Sequence, residues 1–245
     1  MKNGCNYLLM FLLVIFLIVV SEIESLLSPL LGILTYGIWL LILVNILRLR
    51  ELSIDERNLF TALTVIPAVR LAVLLIPVTD YSLKIVIVYY LLLMAALYYI
   101  FTLSIKRPAL PERARYYPFI IPLFLIPAVQ WLLIRPLGLH SIVPIQIAIV
   151  GFASFVQVLY FQGVIQFLAE KCFGVSGIVL TGVLVTATQA GIVVTAGWMG
   201  VIFLGLLLYT NIAISALYYE TRSLPLTAFI LFCLHAFALF CCLWL

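Results

Sequence analysis

The chain reads as all-α, a polytopic bundle of about nine transmembrane helices, and three observations predict this. Of its 245 residues, 67% are hydrophobic and only 9% are charged. The mean hydropathy is +1.32, far above that of a soluble domain. The apolar residues fall in runs of roughly 20, the length a helix needs to cross hydrocarbon. Short polar segments separate these runs and leave almost nothing for a domain outside the membrane. The net charge of +4 is too small and too scattered for nucleic acid. The five cysteines (Cys5, Cys172, Cys233, Cys241 and Cys242) show no CxxC spacing, so neither a disulfide nor a metal site is indicated.

Taken in order, Met1 to Val20 begins like a signal peptide, with Lys2 ahead of an apolar run. Ser21-Glu22-Ile23-Glu24 follows in place of a small-residue cleavage site, which predicts an uncleaved first helix. If that helix is peripheral, the core has eight spans. The second span covers Leu26 to Leu47 and ends in Arg48-Leu49-Arg50. After the polar ELSIDER loop, the third covers Leu59 to Val78 with Arg70 inside it. The fourth, Leu83 to Ile105, is rich in tyrosine. The loop Lys106 to Arg115 (KRPALPERAR) precedes a fifth span, Tyr117 to Ile134, whose Pro118, Pro122 and Pro127 predict a kink or break. Arg135-Pro136-Leu137-Gly138 closes it. The sixth to ninth spans are Ile142 to Leu168, Val175 to Thr195, Trp198 to Tyr218 and Leu224 to Leu245. No soluble linker or repeat divides the chain. Residues 1–140 hold five of the spans and 141–245 the other four.

The distribution of cations orients this arrangement. With the N-terminus inside, Lys2, Arg48, Arg50, Arg57, Lys106, Arg107, Arg113, Arg115, Lys171 and Arg222 fall on the cytoplasmic side. Lys84 and Arg135 fall outside, which predicts a multi-pass protein of the cell membrane with its C-terminus outside. The basic loop fixes topology and touches anionic lipid, or it docks a partner.

Few residues in the spans carry chemistry. Arg70 is the one formal charge deep in a predicted span, at a cost of at least ~2.5 kcal/mol if unpaired. It either holds an anionic headgroup or carboxylate, or is structurally paired. Gln157, Gln162 and Gln166 turn toward other helices or a wet cavity, because amides in hydrocarbon need partners. Gly177, Thr181, Gly182, Thr186, Thr188, Ala190 and Gly191 make the seventh span the most enclosed helix, so Gln189 faces protein. His235 is either a general base or a packed, hydrogen-bonded histidine, and no acid stands near it in the sequence. His140 lies in an outer loop. Phosphate-binding, Rossmann, HExxH and GxSxG patterns are missing.

One stretch, Phe155 to Gly174 (FVQVLYFQGVIQFLAEKCFG), resembles the first motif of the CPBP family of intramembrane proteases, which includes type II CAAX prenyl proteases and bacteriocin-immunity relatives. That motif is EExxxR, often followed by VLQ, and here reads QVLYFQG followed by VIQ. The family's FxxxH falls on Val185 to Gln189, and its HxxxN on His235 to Leu239. The preceding LYYETRSLPLTAFILFCLH is similar to the family's run before that histidine. The resemblance covers Gly151 to Leu245 and implies a CPBP-like core there. It places the family's glutamates at Gln157 and Val158, its arginine at Gln162, its histidines at Gln189 and His235, and its asparagine at Leu239. Of these functional residues only His235 is retained.

Glutamine takes no proton in the useful range and is a poor metal ligand, so the resemblance implies a scaffold without its chemistry. No cofactor is expected, and zinc only if the chain is a protease. The first reading is a catalytically silent CPBP-like protein that binds, or is a subunit of, another integral membrane protein, or binds a lipidated peptide, with Arg70, Gln157, Gln189 and His235 as binding residues. The alternatives are an intramembrane CAAX-type endopeptidase with a divergent site, and a lipid-binding or carrier protein using Arg70. On any of these the lipid bilayer is a partner and nucleic acid is not. Gln157, Gln162, Gln189 and His235 are expected around one buried polar space, and Arg70 against an amide, a hydroxyl or a helix-end carbonyl.

Overall fold

The computed structural model describes residues 2–48, 52–76, 81–102 and 144–242. The described residues form α1 (Lys2–Leu27), α2 (Pro29–Leu47), α3 (Ile54–Leu75), α4 (Tyr81–Thr102), α5 (Pro144–Gln157), a π-helix (Val158–Gln166), α6 (Phe167–Phe173), α7 (Ser176–Ala187), α8 (Ile192–Thr221) and α9 (Leu224–Cys242). There is no strand among them, and six helices are long and apolar enough to cross a membrane. The predicted fifth span, the basic loop before it, Arg135 and His140 lie outside the described residues.

Several boundaries differ from those predicted, each for a local reason. α1 runs seven residues past Val20, because the acidic SEIES segment stays helical: Ser25 Oγ donates back to the Glu22 carbonyl at 3.0 Å, and the Glu22 carboxylate has a cation to meet. Ser28 and Pro29 then stop α1 and start α2, with proline at a first-turn position where its missing N–H costs nothing. α3 begins at Ile54, five residues before the apolar run, because Ser53 and Glu56 form a reciprocal capping box. The Ser53 amide donates to Glu56 Oε2 at 2.8 Å and the Glu56 amide to Ser53 Oγ at 3.3 Å.

The predicted seventh span is interrupted. α7 has only 12 residues, about 18 Å of helix against a hydrocarbon core of about 30 Å. A turn at residues 188–191 follows before α8 begins. Within α8, Gly197 has φ 56° and ψ −134°, a conformation open to glycine and strained for other residues. The chain turns back there: Val183 to Ala190, before the corner, and Val201 to Leu208, after it, line the two sides of one groove. Trp198, just past the corner, is 73% exposed. α7 and α8 pack with their backbones almost touching; a Cβ at Gly182 would lie 2.6 Å from the Ile212 Cα. The small residues in the seventh predicted span permit this approach.

The core is continuous across the division at residue 140. Phe11, Trp39, Leu63, Tyr160, Leu168 and Leu184 belong to one buried cluster. Two ends of the bundle can be told apart by their contacts. At one, Lys171 meets Asp55 and Arg222 meets Glu170; at the other, Arg70 meets Glu22.

Candidate functional site

The π-helix is the local feature on which the polar site depends. All nine of its residues, Val158 to Gln166, are buried. Its i→i+5 bonding is rare in proteins and recurs at functional sites. In an α-helix, Gln157 and Gln162 would stand about 140° apart around the axis. The wider π turn stacks residues five apart, so the two glutamines and Gln166 share a stripe. Tyr160 fixes the segment from another direction, donating its hydroxyl to the Ala62 carbonyl on α3 at 2.6 Å.

Ser215 on α8 receives Gln162 and Gln166 of that stripe. Gln162 Nε2 donates to Ser215 Oγ at 3.4 Å. Gln166 Nε2 donates to the Ser215 carbonyl at 2.9 Å and to Glu170 Oε1 at 2.8 Å. The other Glu170 oxygen takes Arg222 Nη2 at 2.8 Å, and the guanidinium lies 4.5 Å from the Tyr219 ring centroid. Farther along α8, Asn211 Nδ2 donates to Thr186 Oγ1 at 3.1 Å and to Gln189 Oε1 at 3.3 Å. Gln162 and Gln189, on separate elements, thus both face α8.

His235 makes a different contact. Its Nδ1 is 2.9 Å from Ser154 Oγ on α5, one helical turn before Gln157. Gln157 is 2% exposed, and its Nε2 has no hydrogen-bond partner in the protein. Hydrogen bonding therefore divides the predicted polar positions: Gln162 and Gln189 join α8, whereas His235 joins Ser154. Val158 is buried in an apolar cluster with residues of α7, α8 and α9. The side chain of Leu239 lies outside the described residues.

Arg70 has a partner the sequence reading did not assign. Arg70 Nε is 2.9 Å from Glu22 Oε1, and Nη2 donates to the Thr188 carbonyl at 3.0 Å. The expected helix-end carbonyl is there, since Thr188 caps α7. The expectation that the spans hold no acid is corrected: α1 carries Glu22 into the bundle, where it is 8% exposed, with Tyr36 beside it. The arrangement explains why α7 can stop short. An interrupted helix inside a membrane bundle needs its freed carbonyls covered by protein, and a guanidinium suits the negative end of the helix dipole.

An apolar groove of about 310 Å³ opens between α1, α7 and α8, with Ile15, Val19, Ala187, Ala190, Leu204 and Gly205 in its walls. Among the described residues, no three His, Cys, Asp or Glu side chains gather in a way that could hold a metal ion. The residues missed from sequence are Glu22, Ser154, Glu170, Asn211 and Ser215. The one signal for the last two was their i,i+4 spacing in the otherwise apolar GLLLYTNIAISALYY run. No family model, no curated protein and no solved structure matches this chain.

Proposed function

We propose that this is a CPBP-like membrane protein without peptidase chemistry, one that binds a lipidated peptide or another membrane protein. The observation that carries this reading is that His235 meets a serine hydroxyl at 2.9 Å, while the positions that match the family's glutamates hold Gln157 and Val158. Gln162 and Gln189 spend their amides on Ser215 and Asn211, contacts that fix helices and move no proton. A general base contributes about 10²–10⁴-fold to a rate, and an oxyanion donor about 10²–10³-fold. A site with neither retains binding alone. The alternating helix ends and the cation distribution support placement in the cell membrane with the N-terminus inside.

A photoreactive prenylated CAAX peptide in proteoliposomes tests the reading. The expected result is cross-linking without cleavage, and cleavage gained when Gln157→Glu, Val158→Glu, Gln162→Arg and Gln189→His are combined. Absence of cross-linking would remove the lipidated peptide as ligand. The Ser154–His235 pair favours one second reading, a divergent peptidase with a serine nucleophile. Cleavage by the unaltered protein that disappears in Ser154→Ala would establish it and overturn the first.

A further inference from the structure

The groove of about 310 Å³ between α1, α7 and α8 is shaped by helix periodicity. Each helix turns a stripe of its own toward it: Ile15 and Val19 on α1, Val183 and Ala187 on α7, Leu204 and Leu208 on α8. Residues four apart share a helix face, so the groove runs along the helices. On α8 its wall extends from Val201 to Leu208, which is about 10 Å of helix. One leaflet, half of the hydrocarbon core, is about 15 Å deep. Leu12 and Phe16 on α1 and Val201 and Ile202 on α8 are exposed beside the groove, so its mouth faces hydrocarbon. The hydroxyl in its wall is already engaged: Thr186 Oγ1 donates to the Gly182 carbonyl at 2.9 Å and accepts from Asn211 Nδ2 at 3.1 Å.

A second observation is the glycine in that wall. Glycine weakens a helix interior relative to alanine, and in membrane bundles its use is to let another backbone come close. Gly182 serves in this way, since a Cβ there would lie 2.6 Å from the Ile212 Cα. Gly205 does not: a Cβ there would meet no atom within 4 Å. The room it leaves opens onto the groove and is used by no protein atom among the described residues. Gly37 is open in the same sense, but it lies on α2, which forms no part of the groove wall.

Size and chemistry decide what occupies this space. A helix with its side chains is about 10–12 Å across, and a stable protein interface takes about 20–30 residues a side. Ten residues line the groove, too few for a second copy of the chain or a partner helix. Charged groups are missing from its walls, so the part of a ligand that enters is hydrocarbon. Lipid tails are as apolar as the walls, and close packing is therefore what holds a chain there. We infer that the groove is a binding site for one acyl chain of a bilayer phospholipid, seated against Gly205 and bridging α1 and α8. The headgroup is not selected, because the groove contacts the chain alone.

The full chain in phosphatidylcholine liposomes tests this, with part of the lipid carrying a diazirine midway along one acyl chain. After illumination, mass spectrometry maps the labelled residues. Labelling is expected to be several-fold denser at Ile15, Val19 and Val201 to Leu208 than at Leu30, Leu34 and Leu41, exposed residues of α2. Gly205→Leu, whose side chain fills the notch, is expected to lower groove labelling to the α2 level. Gly37→Leu adds the same bulk away from the groove and is expected to leave the pattern unchanged. Native mass spectrometry in mild detergent gives a second readout, a single phospholipid retained by the unaltered chain and by Gly37→Leu but lost from Gly205→Leu. Monodisperse elution confirms folding, and Gly205→Ala, the gentler change, serves if Gly205→Leu does not fold. Labelling equal on the groove and on α2, which means bulk lipid only, overturns the inference. So does groove labelling that is unchanged in the folded Gly205 variant, or displacement of the lipid by a prenylated peptide, which would give the groove to the peptide's chain. The labelling itself contains no peptide, so its result is separate from that of peptide binding.

Discussion

Two arginines, Arg70 and Arg222, hold glutamates at opposite ends of the bundle in different ways. Arg70 lies within α3 and draws together three elements, with Glu22 of α1 on Nε and the Thr188 carbonyl at the end of α7 on Nη2. Arg222 sits at a helix terminus, in the left-handed region at φ 50°, with Tyr218 and Tyr219 near its guanidinium. Its glutamate has a second donor in Gln166, whereas Glu22 depends on Arg70 as its cation. The comparison teaches that a charge inside an apolar span is tolerable where an acid and an uncapped backbone carbonyl converge. A charge at a span's end can be held by local geometry and aromatic rings.

Substitutions break this comparison in a definite order. Arg70→Leu is expected to have the largest effect, about 3–5 kcal/mol, because it leaves the Glu22 carboxylate buried without its cation. Adding Glu22→Leu should recover much of the loss, since an apolar pair of similar volume replaces a buried ion pair at little cost. Denaturant unfolding in mixed micelles measures both, and equal losses in the single and double variants would show that the pair does not act as a unit.

Arg222→Leu is expected to cost less, about 1.5–3 kcal/mol, the range for a hydrogen bond to a charged group. Glu170 keeps its hydrogen bond from Gln166 when the pair is lost. A loss as large as that of Arg70→Leu would mean that burial alone, and not the number of elements joined, sets the penalty.

The smallest effect sharpens the contrast. Lys171 and Asp55 are 3.2 Å apart with both side chains nearly half exposed. Lys171→Ala should cost less than about 1 kcal/mol. The difference should shrink further at high salt, which screens exposed pairs and spares buried ones. Salt-independent destabilisation would mean that the Lys171 contact with the Phe167 ring matters more than its charge.

The helical class was legible in composition and run length, because a membrane span must satisfy its backbone internally and be apolar for most of its length. Corner positions were legible too: Trp198 as the start of a span agrees with the turn at Gly197. The interruption of α7 was not. Thr188 to Gly191 reads as part of an apolar helix, and the side chain that donates to the carbonyl at its end, Arg70, is 118 positions away in sequence. Glu22 fell just past the first predicted span for the same reason, since nothing near it in sequence reveals its cation. The glutamines read as polar positions needing partners, but a 3.6-residue period sets Gln157 and Gln162 on different faces.

The sequence by itself determined that the chain is a bundle of apolar helices, where short polar breaks separate them, and which few polar side chains must turn inward. Those properties follow from the free energy of transferring each residue into hydrocarbon, which depends on the side chain and its immediate run. Tertiary structure alone decided the partners: Glu22 with Arg70, Ser154 with His235, Ser215 with Gln162 and Gln166, and the π turn that gives those glutamines one stripe. A hydrogen bond or ion pair depends on atoms a few ångströms apart, and in a bundle those atoms come from helices whose separation in sequence carries no record of their contact.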